Sequence, residues 1–208
     1  MYLRPFGIDG KFIEAPRQKA DDAYIEEYGL PASYHDLESA LALFVYPHSQ
    51  LVALSDKQGR AGAGHVKSTE EAWRDDVCAL CEHAEGIFVV PFDFEGTAWE
   101  VEMIMERGWL PKTFFVMPAQ SILHGWPGLR RFYLDYQALW EKGRIRYEPL
   151  KLPAYERQGA VVSAGDSVRI FRGFGSRRSI WKDRKSAQDD LKALRSLLSK
   201  LSAANPQV

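Results

Sequence analysis

Over residues 1–142 the chain alternates short runs of β-branched and aromatic residues with longer stretches of helical period, and nothing else in it constrains the fold as tightly. Strands are expected at residues 2–6, 51–55, 87–91 and 113–117. Each is mostly apolar and ends near Gly, Pro or Asp, as suits strands covered on both faces. Helices are expected at residues 36–44, 70–84, 99–107 and 129–142, the last presenting Phe132, Tyr133, Tyr136, Leu139 and Trp140. Strand and helix in alternation predict an α/β fold, doubly wound around a parallel sheet.

Beyond Gly143 the rhythm changes. Residues 160–163 and 168–171 face each other across Ala164, Gly165, Asp166 and Ser167, the pattern of a β-hairpin. Ser186 then opens an amphipathic helix with Leu191, Leu194, Leu198 and Leu201 on one stripe, suited to docking on the domain or to pairing with a second copy. The expected organisation is an α/β domain over residues 1–142 and an extension over 143–208, hairpin plus helix, packed on it.

Composition narrows the partners. Lys and Arg number 27 against 28 Asp and Glu, so no global field gathers nucleic acid or anionic membrane, and nucleic-acid binding is not expected. No apolar run approaches the roughly 20 residues of a membrane-spanning helix, and residues 1–6 lack the build of a secretory signal. A cytoplasmic setting is expected. The two cysteines, Cys78 and Cys81, fall on a helical stripe with Trp73, Val77, Leu80 and Ala84 and read as small buried hydrophobes; no metal site is expected. Arg169, Arg172, Arg177, Arg178, Lys182, Arg184 and Lys185, interleaved with Phe171, Phe174 and Trp181, make the one basic-aromatic cluster, either a solvated face or a grip for an anionic partner.

In open α/β sheets ligands bind beyond the carboxyl ends of the strands, which directs attention to the loops there. The first offers Arg4, whose fork suits phosphate or carboxylate, and Asp9, which suits a ribose hydroxyl. The second runs from Asp56 through Gly59, Arg60, Gly62, Gly64, His65 and Lys67, an anion-friendly glycine-rich loop with Ser68 or Thr69 available to cap the next helix. It is not a P-loop, because His65 and Val66 separate the last glycine from Lys67. The third carries Phe92, Asp93, Phe94, Gly96, Thr97, Trp99, Glu100 and Glu102. With Thr97 as N-cap, Glu100 falls in the first helical turn, near the positive end of the macrodipole, where an ionised carboxylate is favoured and a general acid is not. Thr97 and Glu100 also have capping-box spacing, which needs no chemistry. His124, in the loop after residues 113–117, is within sequence reach of the same end of the sheet; His35 and His48 have no evident partner.

The stretch over residues 84–102, with Phe92-Asp93-Phe94-Glu95-Gly96-Thr97-Ala98-Trp99-Glu100, and the following Arg107-Gly108-Trp109-Leu110-Pro111 resemble the active-site strand, helix and next strand of nucleoside 2-deoxyribosyltransferase-like and TIR-like domains. Bacterial TIR-like proteins are similar also in the opening Leu3-Arg4-Pro5-Phe6 with Asp9 nearby, and in a Gly-rich loop followed by a Trp-containing helix, here Gly59 to Trp73. The resemblance spans roughly residues 1–142 and implies a flavodoxin-like, nucleotide-binding α/β domain. It implies cleavage of an N-glycosidic bond, with NAD hydrolysis and release of nicotinamide the economical choice because a cationic base leaves without prior protonation. The family's glutamate maps to Glu100, as nucleophile or stabiliser of the ribosyl cation, or to Glu102. In the transferases glycine follows that glutamate, whereas Val101 and Glu102 stand here, and the Ser-x-x-Trp-Cys form common in TIR domains is absent. Substrate binding would fall to Arg4, Asp9, Asp56, Arg60, His65 and Asp93, with Trp99 stacking on the base. NAD is substrate here, not cofactor, and assembly into homo-oligomers is part of what the resemblance implies. The competing expectations are a nucleotide sensor without turnover and an interaction scaffold using the basic C-terminal segment.

Overall fold

A computed structural model of the chain describes residues 1–3, 37–46, 49–55, 63–119, 135–157, 159–164 and 168–172, together with 192–194, 196–197 and 199–200. In chain order the elements are β1 (Tyr2–Leu3), α1 (Leu37–Val45), β2 (Val52–Ser55), β3 (Gly64–Lys67), α2 (Trp73–His83), β4 (Ile87–Val89), α3 (Glu95–Glu106), β5 (Thr113–Met117), α4 (Tyr136–Arg146), β6 (Ala160–Ala164) and β7 (Val168–Arg172). Five strands form one sheet in the order β1-β4-β5-β6-β7, and β2 pairs with β3 in a second. β1 with β4, β4 with β5 and β2 with β3 are parallel; β5 with β6 and β6 with β7 are antiparallel. The class is therefore mixed α/β, with a parallel half and an antiparallel half sharing β5.

The parallel half follows from composition. Ile87, Phe88, Val89 and all five residues of β5 are buried, so these strands have no solvent face and bury β-branched and aromatic side chains on both sides. Phe88 and Phe114 stack across the β4–β5 register with centroids 5.3 Å apart. The predicted strand over 113–117 matches β5 residue for residue.

Two expectations are corrected. The segment over 64–67 is not loop: Gly64, His65, Val66 and Lys67 pair in parallel with β2, starting where the Gly64 amide donates to the Leu51 carbonyl at 2.7 Å. Residue 143 is not the edge of an element either, since α4 runs through it to Arg146 and the hairpin β6–β7 joins the central sheet through β5. The cause is packing. A Cβ placed on Gly143 lies 1.8 Å from the carbonyl oxygen of Pro91 and 3.0 Å from its carbonyl carbon, so α4 lies directly on the backbone that leaves β4. The glycine that looked like a helix terminator is a contact point inside the helix.

Helix ends are secured by side chains. Asp135 accepts the Ala138 amide at 3.0 Å and starts α4. Thr69 accepts the Ala72 amide at 3.3 Å ahead of α2. At the far end of α2, the Lys112 ammonium donates to the carbonyls of Cys81, Glu82 and Ala84 at 2.7, 3.0 and 3.0 Å, a cationic cap where the helix dipole is negative. In the C-terminal helical segment Leu194 is fully buried. Among the described residues no helix is long and apolar enough to cross a membrane.

Gly143→Ala must displace backbone, and should lower the unfolding free energy by about 3 kcal/mol or more. Gly96→Ala, where the added methyl meets nothing within 4 Å and the site is helical, should raise it by about 0.5–1 kcal/mol. Denaturant midpoints of the two variants check the pair, and equal effects would contradict the packing described.

Candidate functional site

The end of β4 leads through Pro91, Phe92, Asp93 and Phe94 into α3, and this turn is built by burial. Phe92 is fully buried, with its ring 6.3 Å from Tyr136 and 6.4 Å from Phe94. Phe94 is the N-cap residue, extended at φ −115° and ψ 149°, with no side-chain cap bond, and its carbonyl accepts the Ala98 amide at 2.8 Å. The helix thus begins at Glu95, four residues ahead of the expected start at Trp99. An anchored aromatic has outweighed Gly96 and the capping signal at Thr97.

The shift changes the chemistry of Glu100. Thr97 lies inside the helix and is not its N-cap, so Glu100 is beyond the first turn, where the macrodipole has largely faded. Its side chain points inward. Glu100 is 2% exposed and Thr97 1%, one turn apart on the face that also buries Ala98, Val101, Met103 and Ile104. Met105, farther along the same helix, is exposed. Neither Oε2 of Glu100 nor Oγ1 of Thr97 has a hydrogen-bond partner. Burial, with no cation among the described residues to offset it, pushes the Glu100 carboxyl up to about 8. The ionised carboxylate expected at a helix start is therefore, in the resting protein at neutral pH, a neutral carboxylic acid.

The other candidates disperse around it. Glu102 is exposed on the opposite flank of α3. Asp93, also exposed, accepts from the Arg146 guanidinium of α4 at 2.5 Å, and that bond is the main reason the arginine is held above its ordinary range. Trp99 meets Trp73 of α2 edge to face at 4.9 Å, and the Arg74 guanidinium lies 5.3 Å from both ring centroids, so its aromatic face is engaged within the protein. His65 stands opposite Ala53 in the amino half of the β2–β3 ladder, not in a loop, with Nε2 3.2 Å from Oε1 of the buried Glu38. That contact is close but not aligned as a hydrogen bond, and Glu38 Oε1 accepts the Ala63 amide at 3.1 Å. Arg4, Asp9, Asp56 and Arg60 lie outside the described residues, as do His35, His48, His124 and the basic run from Arg177 to Lys185.

Several contributors carried no motif. Beyond α4, Tyr147 donates its hydroxyl to the Phe92 carbonyl at 3.3 Å, and Tyr155 donates to the Pro118 carbonyl at 2.8 Å, so this segment lies over the carboxyl ends of both β4 and β5. Burial pushes the Tyr147 phenol up to about 12, with the Glu100 carboxylate among the lesser influences. From α2, Cys81 is buried in the core and burial pushes its thiol up to about 12, which leaves it a packed hydrophobe without thiolate character. Among the described residues no three His, Cys, Asp or Glu side chains cluster as a metal site. In comparisons with protein-family models, curated proteins and solved structures, nothing matches the chain.

A raised folded-state carboxyl has a definite sign in stability. Glu100 keeps its proton in the folded chain while an unfolded glutamate loses it near 4.5, so the contribution is complete below 4.5 and is lost as pH rises to about 8. Relative to Glu100→Gln, the wild type should lose about 1.4 kcal/mol of stability per pH unit across that window, and nothing further above it. Paired denaturant titrations of the two proteins at successive pH values read this slope directly. Parallel curves would mean that the carboxyl is ionised or solvated after all.

Proposed function

We propose that the chain cleaves the N-glycosidic bond of a nucleotide, with NAD the favoured substrate, and that Glu100 stabilises or traps the ribosyl cation. One observation carries this reading: on the helix that follows a central parallel strand, a buried carboxyl oxygen, Oε2 of Glu100, and a neighbouring hydroxyl, Oγ1 of Thr97, both lack partners. Buried polar groups are almost always satisfied, and two orphans one turn apart on one face are a feature to be explained by what they bind. The resemblance to TIR-like and deoxyribosyltransferase-like domains supports the same residue. Of the two glutamates it allows, burial favours Glu100, because an exposed carboxylate in water gives a developing oxocarbenium ion little preorganised stabilisation.

The topology is compatible with a flavodoxin-like arrangement in its parallel half. β1, β4 and β5 are parallel neighbours in the five-stranded sheet, and β2, paired with β3 in a separate sheet, approaches β1. The antiparallel β6 and β7 depart from that pattern. In this reading a ligand lies beyond the carboxyl ends of β1 and β4, with Arg4 and Asp9 following β1 as phosphate and ribose contacts.

Incubation of the chain with NAD should release nicotinamide. Glu100→Gln should reduce the rate by about 100-fold or more, while Glu102→Gln stays within a few-fold of wild type. Nicotinamide release that survives Glu100→Gln, or that is lost with Glu102→Gln alone, overturns the assignment. Binding of NAD with no product would leave a nucleotide-sensing module.

A further inference from the structure

Three residues of one helix meet the turn that leads from β4 into α3. Tyr136, Gly143 and Tyr147 are spaced by seven and four, which puts them on one face of α4 and its C-cap. The first stacks its ring on Phe92, the second abuts the Pro91 carbonyl, and the third donates its hydroxyl to the Phe92 carbonyl at 3.3 Å. That carbonyl also accepts the Phe94 amide at 2.9 Å, while the Phe92 amide donates to the Val90 carbonyl at 2.8 Å and the Phe94 carbonyl accepts the Ala98 amide at 2.8 Å. A single run of backbone bonds therefore connects the end of β4 to the first turn of α3, and the Tyr147 hydroxyl enters it at its middle. Tyr147 is itself held in place, buried, with its amide on the Gly143 carbonyl at 2.8 Å.

The start of a helix sets where each later side chain points, because every residue turns the direction by about 100°. A start displaced by one residue would carry Glu100 off the face that buries Thr97, Ala98 and Val101. Tyr147 also shares its surroundings with both glutamates of α3. After burial and the Arg146 cation, the carboxylates of Asp93, Glu102 and Glu100 act on its phenol, which burial keeps neutral throughout the range in which Glu100 titrates. Building on Glu100 as the group beside the anomeric carbon, we propose that Tyr147 is a positioning residue of the glycosidic site: its hydroxyl, acting through the Phe92 carbonyl, fixes the start of α3 and so holds the Glu100 carboxyl in place. The segment after Gly143 is then part of the site, although the resemblance ends at residue 142. Tyr155 marks the contrast. Its hydroxyl makes the same kind of clip, to the Pro118 carbonyl at 2.8 Å, but over the end of β5, which does not lead into α3.

Tyr147→Phe in the full chain removes the hydroxyl and leaves the ring. The Glu100 carboxyl carbon, followed by NMR through a pH titration, should then have its midpoint lowered from about 8 by about half a pH unit or more, because a loosened turn lets water reach the carboxyl and favours its charged form. Among the described residues the titratable groups facing Glu100 are Cys81 from α2 and Tyr147, and burial pushes both to about 12, so the midpoint reports Glu100 itself. Asp93, Glu102 and Arg146 act on the same phenol and are left unaltered by the substitution. On NAD, kcat should fall about tenfold or more with KM within about twofold of wild type, since a misplaced group costs rate more than binding. Tyr155→Phe, the same deletion over β5, should lose comparable stability to denaturant and leave the Glu100 midpoint unmoved. A Tyr147→Phe midpoint that stays with the wild type, one that moves equally in Tyr155→Phe, or an unchanged kcat in an active protein overturns the inference and leaves the hydroxyl a structural clip. If Tyr147→Phe does not fold, the wild type decides: the Tyr147 phenol carbon should shift with the same midpoint as Glu100, and a flat signal overturns the inference. A wild type that releases no nicotinamide, with the midpoint moved in Tyr147→Phe alone, removes the assigned activity and leaves the positioning of Glu100 by Tyr147 standing.

Discussion

At Gly143 a helix meets a strand end with no side chain between them. The Pro91 carbonyl fills the space a Cβ would occupy, and everything at this end of the sheet is arranged around that contact. It lets α4 lie on the turn that leaves β4. Arg146 then reaches Asp93, Tyr147 reaches the Phe92 carbonyl, and Tyr136 stacks on Phe92. With Phe92 held, the next residue but one, Phe94, is extended and α3 starts at Glu95. The orientation of α3 about its axis follows, and with it the burial of Thr97 and Glu100.

That rotation decides a charge. A glutamate in the first turn of a helix, facing solvent, keeps its ordinary pKa or a lower one. The same residue one turn later and facing the core is desolvated on every side, and without a cation the neutral form wins. The protein carries this unpaired group at a cost in stability, which is how strained or unsatisfied residues at functional sites usually present themselves. A neutral resting acid also reverses the role first assigned to Glu100. Helix-dipole stabilisation no longer supplies a ready-made carboxylate at this position.

The elements that composition dictates were legible. Ile87, Phe88 and Val89, like most residues of β5, are apolar on both faces, and Gly, Pro or Asp near the strand ends marked them as buried strands. The hairpin of β6 and β7 was readable from two short runs around Gly165 and Asp166. What was not legible depended on contacts distant in sequence. β3 was hidden among glycines because its pairing partner, β2, supplies the regularity that its own residues lack. The start of α3 was misread because capping chemistry is local, whereas Phe92 is anchored by Tyr136 from another helix. Gly143 looked like a stop because nothing in sequence announces that Pro91 lies against it. Lys112 carries no local signal as a cap for α2, since its three acceptors lie 28 to 31 residues upstream. For Glu100 the expected ionised state is inverted, because its pKa is set by desolvation, which only the assembled fold determines.

The protonation of Glu100 in the resting protein is the quantity on which the chemistry rests, and it can be watched without substrate or turnover. Carbon-13 NMR of the glutamate side-chain carboxyl carbons, assigned by the signal missing in Glu100→Gln, follows this group through a pH titration. A resonance that stays at the protonated position through neutrality and titrates near 8 agrees with a buried acid held neutral by desolvation. A midpoint near the ordinary 4.5 would show a carboxylate already charged at rest and would contradict it.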